Sequence, residues 1–237
     1  MDGDAAALVT LVIPVLHDTA ALGSLLPALP IDPELQIIVV DGGETGDQAT
    51  AALRERYPDV EWVRSNPGRG AQMNRGASQA RGRWLLFLHA DTHLGCGWID
   101  VIRRVDEELR VVGGCFRFAL DSPAHWARWI EWGVRIRVHL FDLPYGDQAL
   151  FVRRAVFDEL EGYRDLPLME DVDFVRRLRR RGGRLEHADV PALTSARRWE
   201  RDGWLRRTLE NSLLLMLFLA GCPPERLRRR YDNGRGR

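Results

Sequence analysis

"LQIIVVDGGETGD", residues 35–47, is an apolar run that stops at a carboxylate and opens into glycines. Three other short apolar runs flank it: "LVTLVIPV" (8–15), "EWVRS" (61–65) and "RWLLFLHAD" (83–91). Amphipathic stretches lie between them, at 20–29, 48–57 and 71–80, with Asp47 placed to cap the second and "NPGRG" a loop by its Pro and Gly content. This alternation predicts a parallel sheet with crossover helices, an α/β fold.

The rest of the chain adds a helix at 98–109 and a strand "VVGGCFRFAL" whose glycines predict a bulge or a close backbone approach. A Trp-rich helix follows at 125–139, then "DLPYGDQALFVRR", another helix and the loop "GYRDLPLMED". Short strands are expected to give way to helices here. Asp171 opens an amphipathic helix with Val172, Val175 and Leu178 on one face and "RRLRRR" as its solvated face. No internal repeat, low-complexity segment or linker divides the chain.

Composition excludes several classes. The 237 residues are 45% hydrophobic with a formal net charge of zero, so nothing in the bulk charge points to nucleic acid. All 34 cations are Arg, which reads mostly as genomic bias, although Arg is also the better bidentate partner for phosphate. Cys96, Cys115 and Cys222 form neither a disulfide framework nor a zinc knuckle. A reducing, cytoplasmic compartment is expected, without a signal peptide. The longest apolar run, 213–220, is far short of the roughly 20 residues that span a bilayer, so a buried or interfacial helix is expected there.

Chemistry in an open parallel sheet collects at the carboxyl ends of the strands. Asp41 and Asp91 both follow apolar runs directly, the placement of a nucleotide and metal site; capping of the next turn is the alternative for each. "DGGETGD" lacks the lysine of a P-loop and the spacing of a dinucleotide fingerprint, and neither strand end offers the D-x-D-x-T of an aspartyl-phosphate enzyme. Sugar-nucleotide chemistry stays open.

Across nearly the whole chain, "VIPVLHD", "IIVVDGGETGD", "GRGAQMNRGASQARGRWLLFLHADT", "MEDVDFVRRLRRRGG" and "TSARRWERDG" come in the order that resembles the family-2 glycosyltransferases. "PYGDQALFVRR" and "LMEDVDFVRRLR" add a likeness to a small bacterial subgroup named for arsenosugar biosynthesis. The resemblance implies a GT-A fold, a mixed but mostly parallel sheet flanked by helices, over residues 1–203, with 204–237 a C-terminal helical appendage of the same domain. It implies a nucleoside-diphosphate sugar donor, an unidentified hydroxyl acceptor and inversion at the anomeric carbon.

By the same resemblance Pro14 and Val15 line the nucleobase pocket and Asp41 contacts base or ribose. Arg69 and Gly70 belong to the loop over the nucleotide, with Asn74 nearby. Asp91 matches the last carboxylate of the D-x-D element that holds a divalent cation. His89 stands where the first Asp often does, which makes manganese at least as plausible as magnesium; a core or ribose contact is the alternative for His89. Asp171 matches the general base and Glu170 its partner, although both also suit a helix N-terminus. Arg198 is expected at the diphosphate and Trp199 at the acceptor, with Asp147 and Gln148 as further acceptor-side contacts or simply turn residues. No role is assigned to His93.

Two other functions compete: a sugar nucleotidyltransferase, which the absence of a G-G-x-G-T-R signature disfavours, and a non-catalytic nucleotide-sugar-binding or membrane-surface adaptor. The terminal helices are expected to serve a peripheral membrane contact, at the inner face of the membrane, or a homodimer contact.

Overall fold

A computed structural model describes residues 7–43 and 48–235; the expected cap Asp47 lies outside the described residues. The first half follows the alternation in the sequence. Strands β1 (Val9–Val15), β2 (Leu35–Asp41), β3 (Glu61–Arg64) and β4 (Trp84–Phe87) run parallel in the order β3-β2-β1-β4. Helices α1 (Thr19–Leu25), α2 (Gln48–Arg56) and α3 (Arg69–Ala77) connect them. The runs are apolar without alternation because both faces are covered: Leu11, Ile13 and Val39 enter one core while Val12, Ile38 and Val40 enter the other. The first predicted helix is shorter than 20–29. Pro27 supports a separate 3-10 turn at Leu26–Ala28, where its missing N–H costs no helical bond.

The chain continues through β5 (Thr92–Leu94), α4 (Trp98–Asp106), β6 (Val111–Asp121), α5 (His125–Phe141), β7 (Phe151–Arg153), α6 (Arg154–Glu159) and α7 (Glu170–Arg181). A long strand then follows, β8 (Arg184–Ser195), and the sheet extends as β4-β7-β6-β8-β5. β7 pairs antiparallel with both neighbours, whereas β6 and β8 pair parallel, so the sheet is mixed. The expectation that strands give way to helices fails at β8. "RLEHADVPALTS" hides its strand because Pro191 and several charges interrupt the pattern, and the register shifts just there, where Phe116 pairs with Ala188 but Arg117 with Pro191. His93, to which the sequence assigned no role, sits in β5 opposite Leu193.

Three helices close the chain: α8 (Arg197–Asp202), α9 (Trp204–Leu219) and α10 (Pro224–Arg235). The apolar run of α9 is half-buried, with Leu214 inside and Met216 and Leu219 exposed. No described helix is long and apolar enough to cross a membrane.

Candidate active site

The carboxyl ends of β1 and β4 open on a cavity of about 750 Å³. Pro14 and Val15 form its floor, and Gly68 and Arg69 border it at the start of α3. β4 ends at Phe87, earlier than the sequence suggests, so His89 and Asp91 belong to the turn into β5. That turn lets both face the cavity, which Arg198 of α8 closes from the other side. A smaller cavity of about 150 Å³ lies beyond, lined by Asp147, Asp171 and Trp199. Arg69, His89, Asp91 and Arg198 line both, together with Leu168 and Tyr231, so the two spaces meet at those six residues.

Asp171 is held from several directions. Its Oδ2 accepts 2.8 Å from the Gly146 N–H, its Oδ1 accepts from the Val172 N–H, and Arg69 Nη2 stands 3.7 Å away. Burial alone would raise its pKa, but the Arg69 charge and the two backbone donors overcome that and hold the carboxyl below its usual range. Asp171 is therefore ionised at neutral pH. Glu170 is an ion-pair partner of Arg69 and lines the larger cavity, not the smaller one. Burial works against the Arg69 charge, yet these two carboxylates keep its pKa raised. Met169, just before them, is left-handed at φ 67, an uncommon conformation for a side chain of its kind and one that collects at functional sites.

The imidazole of His89 is neutral: burial, then the Arg69 charge, lowers its pKa to about 4. Its Nε2 and the Asp171 Oδ2 each lie just over 3 Å from where a Cβ on Gly146 would sit. Glycine is the residue that lets this turn approach both groups. Gly146→Ala should thus press on Asp171 and His89 and lower turnover by roughly tenfold while moving the melting temperature little, a split read by kinetics and calorimetry side by side.

Several expected residues have other work. Asn74 is committed at both ends to Tyr163, donating to its carbonyl at 2.7 Å and accepting from its N–H at 2.9 Å, so it is a scaffold residue. Gln148 is likewise a buried clamp, accepting from Tyr145 and Arg137 and donating to the Phe116 carbonyl. Gly70 packs where α3 meets Tyr163 and Glu170. Asp41 is buried, and its Oδ1 accepts from the Gly43 N–H at 2.8 Å, the turn-capping alternative raised by the sequence.

Other residues were not anticipated. Gln72 donates to the carbonyls of Val15 and Val40, tying the ends of β1 and β2 together under the larger cavity. Arg207, Asn211 and Leu214 line the smaller cavity from one face of α9, with Tyr231 of α10 beside them. Their spacing of four and three residues was the available signal. The indole N–H of Trp199 and the Nε of Arg207 are buried without hydrogen-bond partners among the described residues.

Asp147 carries the same mark at its Oδ1. Burial raises its pKa to about 6, with Arg137 opposing the rise. A folded-state pKa above the unfolded one contributes stability below about pH 4, and that contribution is lost as pH rises through about 6. Asp147→Asn is expected to match the parent at pH 4 and to exceed it by about 2 kcal/mol at pH 7.5 in paired denaturant titrations.

Asp91 and His89 are the donors available to a divalent cation. Asp91 Oδ2 accepts from Arg197 Nη2 at 3.1 Å, and Arg197 also pairs with Asp18, so one carboxylate oxygen is already engaged. A neutral imidazole and one free oxygen fit a hard or borderline cation that takes its remaining ligands from substrate phosphate and water. Among the described residues no group of three or more His, Cys, Asp or Glu side chains gathers to hold a metal by itself. Arg198 has no carboxylate partner among the described residues, leaving a cation directed at the junction of the cavities.

An α/β protein is thus defined, in which the carboxyl ends of the parallel strands of a mixed sheet present arginines and carboxylates around two joined cavities, the place where ligands collect in open α/β sheets. The profile of Glycosyl transferase family 2 matches residues 14–163, more than half of the chain, and the chain belongs to that family. Among solved structures it is similar to Staphylococcus aureus TarS. For TarS residues 1–349 the match covers 78% of this chain and 60% of that one, at a TM-score of 0.60 and 16% identity. The TarS complex with UDP-GlcNAc gives 79% and 58%, 0.61 and 16%, and the complex with UDP gives 80% and 61%, 0.60 and 15%. Likeness at that identity establishes the fold, and the chain spans about three-fifths of those structures. No curated protein matches it.

Proposed function

We propose that this chain transfers a sugar from a nucleoside-diphosphate sugar to an acceptor hydroxyl with inversion. The observation that carries the reading is the junction of the two cavities, with Asp171 ionised on the small side and Arg69, Asp91 and Arg198 facing the large one. The nucleotide occupies the larger cavity against Pro14 and Val15, with its diphosphate at Arg198. The acceptor occupies the smaller cavity, where Asp171 takes the hydroxyl proton and Trp199 offers its unpartnered N–H. Asp91, with neutral His89, would hold manganese or magnesium, and such a cation supplies charge neutralisation for a leaving diphosphate. Arg198 stabilises the same developing charge. Residues 204–237 belong to this catalytic unit, because Arg207, Asn211 and Tyr231 wall the acceptor space. The reading places the protein in the cytoplasm.

The narrower reading is the subgroup named for arsenosugar biosynthesis, supported by "PYGDQALFVRR" and "LMEDVDFVRRLR". UDP sugars are the first donors to try, since the TarS complexes hold UDP-GlcNAc and UDP. Release of nucleoside diphosphate from a donor panel, with and without manganese or magnesium, is expected to show cation-dependent turnover. Absence of turnover with every donor would favour the binding-module alternative.

A further inference from the structure

Beside the acceptor cavity lies a third space of about 400 Å³, and it is mostly apolar. It runs between α5 and α9: Trp126, Trp129 and Ile130 face Trp204, Leu205 and Leu215 across it. Tyr145, Asp147, Trp199 and Asn211 line this groove and the smaller cavity alike, so the two are continuous. Its mouth is open, with Trp126, Trp129 and Leu205 each more than half exposed.

Gly133, exposed and in the middle of the 17-residue helix α5, is among the residues that line the groove. Glycine is a poor choice at a helix interior, and here no neighbour demands it, since nothing lies within 4 Å of where its Cβ would be. Its effect is to leave the groove without a side chain at that position. At the seam with the smaller cavity, the buried Trp199 N–H waits without a partner among the described residues.

We propose that the acceptor is an amphiphile, whose hydroxyl-bearing head sits at Asp171 and Trp199 while its alkyl chain lies along the α5–α9 groove over Gly133. This rests on the acceptor role given above to the smaller cavity. The continuity of the two spaces selects the occupant: a chain in the groove has its polar end where the base and the free indole donor are, which a protein partner docked on the outer helix faces would not. The single cation on the groove wall, Arg137, is already stacked 3.5 Å over the Tyr145 ring and bonded to the Leu143 carbonyl, and the one carboxylate, Asp147, stands at the seam with the smaller cavity, where the polar head would lie.

The test uses methyl, butyl and octyl β-D-glucoside below their micellar concentrations, with binding read from tryptophan fluorescence. Affinity should rise roughly fourfold for each methylene that enters the groove. Gly133→Leu should add a side chain to the groove lining and lower octyl glucoside affinity at least tenfold, while melting no lower than the parent and binding UDP unchanged. Equal affinity for methyl and octyl glucoside overturns the proposal. So does undiminished octyl binding by Gly133→Leu, which would place the chain on the outer apolar surface instead. Binding needs no turnover, so the two readings separate: a chain-length effect without any donor turnover overturns the transferase reading, and donor turnover without a chain-length effect overturns the groove.

Discussion

Replacing Asp171 by Asn is expected to lower the transfer rate at saturating substrates by about a thousandfold and to leave donor binding within about twofold. An asparagine has one oxygen where the carboxylate has two, so it keeps one of the Gly146 and Val172 hydrogen bonds and turns its NH2 toward the other donor; a thermal melt beside the kinetics checks that the loop and the start of α7 hold. What disappears is the negative charge that receives the acceptor proton. Of the contacts proposed for the donor, Pro14 and Val15 lie on the far side of the junction and Arg198 at the junction itself, and the substitution removes none of them. UDP-induced thermal shift measures the binding half of the claim, and single-turnover transfer measures the chemical half. Because Arg69 and two backbone donors hold the Asp171 carboxyl below the ordinary range, the parent should keep its base ionised where a free carboxylate would already be protonated, and the acid limb of the rate profile should be displaced downward accordingly. Transfer by the Asn variant within tenfold of the parent would remove Asp171 from the role and turn attention to Asp147, which lines the same cavity.

Much of this site was legible because it obeys local rules. Strand runs that end in Asp, Pro-Gly before α3 and "MED" before an amphipathic helix are written in consecutive residues, and the parallel sheet then brings their ends to one edge. Arg69, His89, Asp91 and Asp171 lie in such segments, and Arg198 was named through the resemblance of "TSARRWERDG"; Asp171 lines the smaller cavity and the other four line both. Asn74 and Gln148 sit in equally suggestive segments but are consumed by hydrogen bonds to backbone far away in sequence, a matter of packing that spacing does not carry. β8 was invisible for the opposite reason: its register to β6 is fixed by the neighbour and tolerates Pro191 at the irregularity, so its own residues need not alternate. The wall contributed by α9 and α10 was hidden by the apolar run at 213–220, which drew the reading toward a membrane or dimer contact and away from Arg207 and Asn211, six and two residues before it.

The glycines of "VVGGCFRFAL" carry the second large effect, on the scaffold and not the chemistry. Gly114→Ala is expected to destabilise the fold by about 4 kcal/mol, read as a lowered urea midpoint with an unchanged slope. A Cβ there would stand 2.3 Å from the Glu186 carbonyl oxygen and 2.4 Å from Phe151 Cζ, both far inside contact distance. Neither neighbour can yield cheaply. Glu186 is the β8 partner of Gly114 in the sheet, and the Phe151 ring is wedged against Trp84 and Phe116 with centroids 5.8 and 5.4 Å away. Relief requires β6 and β8 to part or the aromatic core to repack, and overpacking of this severity lies at the costly end of core substitutions. Gly133→Ala supplies the contrast, a helix glycine with open space around its Cβ position, and should gain about 1 kcal/mol. A cost below about 1 kcal/mol for Gly114→Ala would mean that the β6–β8 contact is looser than drawn. The same contact governs the site. β8 runs directly into Ser195, α8, Arg198 and Trp199, so a displaced β8 moves the arginine at the junction and the indole at the acceptor space together. Residual activity of a folded Gly114→Ala protein should therefore fall along with its stability.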